Sequence, residues 1–138
     1  MKATSNDVVV DALWQALRPV LTRFADRVGR DISPLIVDIR RVTSETFPMT
    51  AYASFLKDRQ GDGLAVTVSV RGDENVLVIE SDICMDSGTI LAEGPSVTLS
   101  LLKDSGKVDG LVDHWLKSFD VFLLDNEREV VAAAQSLD

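Results

Sequence analysis

Cysteine is nearly absent from this chain: Cys84 stands alone, so no intrachain disulfide can form. Histidine is equally scarce, with His114 its only representative, and no Cys-x-x-Cys pair is present. No apolar run approaches the roughly 20 residues that a membrane-spanning helix needs. Met1 to Asp7 is polar, and Asp11 interrupts the run Val8 to Val10, so no secretory leader is expected. A cytoplasmic protein in a reducing compartment is the expectation, with no membrane partner. Positive charge is also short, at 14 Lys and Arg against 22 Asp and Glu, for a net charge of −8. Such a surface repels phosphate backbones, so nucleic acid is excluded as an expected partner. There is no Gly-x-Ser-x-Gly elbow and no Gly-x-Gly-x-x-Gly loop. Internal repeats, low-complexity segments and linkers are missing as well.

What is present suits one ordered domain spanning residues 1–138. Apolar residues make up 46% and charged residues 26% of the chain, ordinary values for a folded protein. A chain of this length buries roughly two-thirds of its unfolded surface, enough for a core without a disulfide or metal. Charge is unevenly spread. Residues 1–60 carry 9 basic and 7 acidic side chains, whereas residues 61–138 carry 5 and 15.

Val10, Leu13, Trp14, Leu17, Leu21, Phe24 and Val28 recur at three- and four-residue steps, which predicts a helix to about Gly29. Ser5, Asn6 and Asp7 mark its start, and Pro19 should kink it without ending it. Arg23, Arg27 and Arg30 share one flank. Strands are predicted over Leu35 to Arg40, Ala51 to Lys57, Leu64 to Arg71 and Val76 to Ile83. Two shorter ones, Thr89 to Ala92 and Val97 to Leu102, are separated by Glu93-Gly94-Pro95. Turn chemistry at Gln60 to Gly63, Gly72 to Glu74 and Asp86 to Gly88 joins the strands by short connections, so they should be antiparallel neighbours. Val108, Leu111, Val112, Trp115, Phe119 and Phe122 predict a closing helical region, with Asp104 or Ser105 as its cap. Asn126 falls on the apolar stripe and, with Glu129, resembles a capping box, which leaves open a break near Asp125. The predicted fold is α+β: an N-terminal helix, an antiparallel meander of about five strands and a C-terminal helical region, with the helices on one sheet face.

Several partial motifs fail on inspection. Asp58 to Gly63 imitates the start of a calcium loop, but Gln60 stands at its third position, Ser69 stands where a bidentate Glu belongs, the flanks read as strands where helices are required, and a hairpin turn accounts for the segment. Gly106-Lys107 lacks the remainder of a phosphate loop, since Leu101 and Val108 occupy its other positions. Glu80, Asp82, Cys84 and Asp86 alternate along a strand and share a face. Hard oxygens with one soft sulfur suit no common metal, so neither a metal nor a cofactor is expected. His114 has no nucleophile or metal ligand at a recognisable spacing, and no catalytic residue is assigned.

Asp109, Asp113, Asp120 and Glu127 fall on one stripe of the closing helix, beside the apolar stripe. With the sheet-borne Glu80, Asp82 and Asp86, they are the candidate partner-binding residues. The expected function is a non-catalytic acidic module that binds a basic protein partner. Size, acidity and helix–sheet–helix layout resemble those of secretion chaperones and toxin-immunity proteins as classes, and an adaptor role fits the same pattern. The alternative is a small-ligand binder or enzyme with a pocket between sheet and helices, lined by Trp14, Tyr52, His114 and Trp115.

Overall fold

The computed structural model describes residues 5–31, 36–45, 47–56, 63–73 and 75–136. The calcium-like segment Asp58 to Asp62, Leu35 and Lys57 at the ends of two expected strands, Glu74, and the side chains of Ser5 and Asn6 lie outside that description. Helix α1 spans Ser5–Gly29. The strands are β1 Ile36–Val42, β2 Met49–Leu56, β3 Gly63–Asp73, β4 Val76–Met85, β5 Ile90–Glu93 and β6 Val97–Ser100, and helix α2 spans Val108–Gln135. Among the described residues no helix is long and apolar enough to cross a membrane.

The fold is α+β. The six strands form one antiparallel sheet in the order β1-β2-β3-β4-β5, with β6 also on β4. Strands β5 and β6 are two halves of one edge position: β5 pairs Asp82 to Cys84, and β6 pairs Val76 to Ile79. Gly94, Pro95 and Ser96 bulge out between them, opposite Glu80 and Ser81. A proline in the edge strand falls where no ladder hydrogen bond is required of it. The β3–β4 hairpin closes later than the turn residues suggest, because Gly72 and Asp73 still pair with Leu77 and Val76.

Alternation decides what the sheet buries. Ala51, Ala53 and Phe55 of β2, Val66, Val68 and Val70 of β3, and Leu77, Ile79 and Ile83 of β4 are all buried on one face. Helix α1 covers that face over β1 and β2, and α2 covers it over β3 and β6. The helices run in the same direction. Val9 and Ala12 lie near Asp109 and Val112 at one end, and Arg27 meets Glu127 towards the other. Helix α1 continues through Pro19, which is exposed, so the carbonyl left without a donor can face water.

Helix α2 is one unbroken element of 28 residues. Asn126 does not cap a second helix. Its amide nitrogen donates to the Phe122 carbonyl one turn back, at 2.8 Å, which satisfies the side chain inside the helix. Asp104 does not cap α2 either: its carboxylate accepts from the Ser100 backbone N–H at 2.9 Å, and Lys107 stands at the cap position without a side-chain bond.

The bulge anchors α2 to the sheet. The Pro95 carbonyl accepts from Ser81 Oγ at 2.8 Å and from the Trp115 indole N–H at 3.0 Å. A side chain at Gly94 would collide with Ser81 Oγ and come within 2.8 Å of the Phe122 ring, so glycine lets the bulge and helix approach closely. Trp115 also stacks on Phe119, with ring centroids 5.0 Å apart. Trp14, by contrast, is only partly buried against the core. Trp115→Ala is therefore expected to cost about 3–5 kcal/mol, and Trp14→Ala distinctly less. Urea melts of the two variants check this, and equal midpoints would contradict it.

Candidate partner-binding surfaces

The acidic residues of the α2 stripe differ in their surroundings. Glu127 is engaged: its Oε1 accepts from Arg27 Nε at 2.6 Å, with both side chains about 70% covered. Arg27 also lies over the Phe24 ring, 5.8 Å from its centroid. This pair ties α1 to α2 and engages Glu127 within the chain. Asp120 is half-buried, whereas Asp109 and Asp113 are exposed. These last two stand at the mouth of a groove of about 300 Å³ between the N-terminal halves of the helices, with Val9, Ala12, Ala16, Val112 and Leu116 as its apolar lining. Among the described residues no Lys or Arg pairs with Asp109 or Asp113. Sequence reasoning missed the α1 half of this groove. The alanines at positions 12 and 16 flank the apolar stripe, but only the parallel packing of the helices makes that flank one wall of a cleft.

The sheet carboxylates also divide. Glu80 Oε1 is held by Arg71 Nη2 at 2.8 Å, and Asp86 is exposed in the β4–β5 turn. Asp82 lies on the open sheet face next to Glu93, which β5 places directly across from it. The Glu93-Gly94-Pro95 punctuation hides Glu93 in the sequence, because it looks like the start of a loop. Burial pushes the Asp82 carboxyl above the usual range; the Cys84 thiol opposes this, and Glu93 and Glu80 reinforce it. One of its oxygens, Oδ1, is buried with no hydrogen-bond partner among the described residues. Burial likewise pushes the Cys84 thiol up, and Asp82 adds to it. A thiol held in its protonated form is a poor nucleophile.

The four residues expected to line an internal pocket do not converge. Trp115 is buried under α2, whereas His114, next in the chain, is exposed. Tyr52 lies on the opposite face of the sheet from the helices, where the Arg40 guanidinium sits 5.5 Å from its ring centroid. The strand alternation that buries Ala51 and Ala53 forces Tyr52 outward. Among the described residues no group of three or more His, Cys, Asp or Glu side chains could hold a metal ion.

Two outcomes follow from the Asp82–Cys84 pair. The folded state raises the Asp82 pKa above the unfolded value of 3.8, so the charged carboxylate opposes folding at neutral pH. That opposition is fully present above the folded pKa and disappears as pH falls below the unfolded one. Asp82→Asn is expected to raise the thermal midpoint at pH 7, with the gain shrinking towards pH 4, as melts across that range would show. Cys84→Ser is expected to leave the fold intact and the thiol dispensable; a binding assay that loses its signal with an unchanged melt would refute this. No protein-family model, curated protein or solved structure matches this chain.

Proposed function

We propose that this chain is a non-catalytic protein-binding module that engages a basic partner through the groove between the N-terminal halves of α1 and α2. The observation that carries this reading is the pair Asp109 and Asp113 at the mouth of an apolar cleft, neither paired with a cation among the described residues. An apolar cleft with charged groups at its edge suits an amphipathic segment: apolar side chains enter, and Lys or Arg beside them meets the carboxylates. The acidic excess of residues 61–138 supports the same partner chemistry, because it attracts a basic protein before contact. Asp120 is half-buried on the same helix and plays a lesser part, and Glu127 serves the α1–α2 junction. A cytoplasmic location and an immunity-, chaperone- or adaptor-like role agree with this chemistry.

The test uses the wild-type chain and the double variant Asp109→Lys, Asp113→Lys as baits in lysate of the source, followed by surface plasmon resonance on the captured partner. Asp109 lies in the first turn of α2, where Lys opposes the helix dipole, so the variant is expected to melt lower by about 1–2 kcal/mol, and circular dichroism checks that it still folds. Association with wild type is expected to slow as salt rises, since screening acts over about 8 Å at physiological ionic strength. The double variant is expected to associate at least about tenfold more slowly, the scale on which steering acts. An association rate indifferent to salt, together with normal binding by the variant, would remove the groove from consideration.

A further inference from the structure

The sheet face turned away from the helices carries a charge order complementary to itself, and the geometry points to a second copy of this chain stacking on it face to face. One lateral row crosses all five strand positions: Arg40 on β1 pairs with Tyr52, Tyr52 with Thr67, Thr67 with Asp82, and Asp82 with Glu93 on β5. The row is positive at one end, neutral at Thr67 and negative at the other. Neighbouring strands lie about 4.8 Å apart, so the ends are separated by roughly 19 Å.

Two sheets can stack about 10 Å apart with their strands nearly aligned. A two-fold axis lying between them can run along the strands or across them. Across the strands, it sets Arg40 over Arg40 and Glu93 over Glu93 of the second copy, a repulsive match. Along the strands, over β3, it reverses the strand order. Arg40 then faces the second copy's Glu93, Tyr52 faces its Asp82, and Thr67 meets Thr67. Within this row charge selects the stacking about the strand-parallel axis, and each interface contains the Arg40–Glu93 match twice; Arg71 on β3 would then meet Arg71 of the second copy, each held to its own Glu80 at 2.8 Å.

The apolar residues of this face agree. Ile36, Val42, Val76 and Ile90 belong to it by register, and each is 38–51% exposed, whereas the equivalent positions of the helix-covered face on β2, β3 and β4 are buried. Five strand positions and about eight residues of strand length give a projected area on the order of 600 Å². A standard interface takes about 800 Å² from each partner, so the face is of suitable size. Arg40 is available for exchange. Its one ion pair among the described residues, with Asp38 at 3.7 Å, is at least half exposed on both sides, and such pairs hold weakly. The stacking uses the opposite side of the molecule from the α1–α2 groove, so neither reading depends on the other.

Light scattering during size-exclusion chromatography, over a range of protein concentrations, tests this with wild type, Arg40→Glu and Glu93→Arg. Wild type is expected at twice the mass of one chain, and each variant alone at the mass of one chain. Circular dichroism melts confirm that both variants fold. Mixing the two variants is the decisive step. The Glu introduced at position 40 of one then faces the Arg introduced at position 93 of the other, and Arg40 of the second faces Glu93 of the first. An equimolar mixture is therefore expected to recover the doubled mass. Wild type at the mass of one chain up to roughly ten times a micromolar affinity would overturn the proposal. So would a dimer that either variant leaves intact, or variants that stay single when mixed.

Discussion

Burial of one face of a twisted antiparallel sheet under two parallel helices holds this molecule together and also decides what it presents to the outside. Side chains along a strand alternate between faces, so every residue given to the core places its neighbours on the far side. The apolar positions of β2, β3 and β4 all fall on the helix-covered face. Tyr52, Thr67, Asp82 and Cys84 are consequently outward, and among the described residues no helix covers them. Polarity on the open face follows directly from apolarity on the closed one.

The closed side shows how polar groups are managed where the layers meet. The bulge at Gly94 to Ser96 would leave the Pro95 carbonyl without a ladder partner, and Ser81 and Trp115 both donate to it. An interruption in an edge strand thus becomes the anchor of α2. Farther along, Arg27 and Glu127 close the seam between the helices, while at the opposite end the small side chains of Ala12 and Ala16 leave it open. The helices are joined at one end and cleft at the other, and among the described residues the carboxylates at the cleft have no cation of their own.

Acidic residues that look equivalent along the chain therefore acquire different roles. Glu127 is paired with Arg27, Glu80 is paired with Arg71, and Asp82 is raised in pKa by burial beside other carboxylates. Among the described residues, Asp109 and Asp113 alone in the helical stripe combine exposure, lack of a cation and an apolar neighbour surface. Local charge density could not make that distinction, because it depends on which element lies alongside.

The α+β class, the extent of α1, the meander order and the buried stripes of α1 and β3 were legible in the sequence alone, because they rest on periodicities of 3.6 and 2 and on turn residues, all of which act locally. The single length of α2 was not. Asn126 interrupts the apolar stripe, and only its bond to the Phe122 carbonyl shows that the helix absorbs it. Nor could the sequence join β5 and β6 into one edge position, since Gly94 and Pro95 read as a break until β4 pairs on both sides of them. The groove at Asp109 and Asp113, and the row from Arg40 to Glu93, draw residues from segments 50 to 100 positions apart. Such arrangements are set by the packing of layers and the register of strands, and these are fixed only when the chain closes on its core.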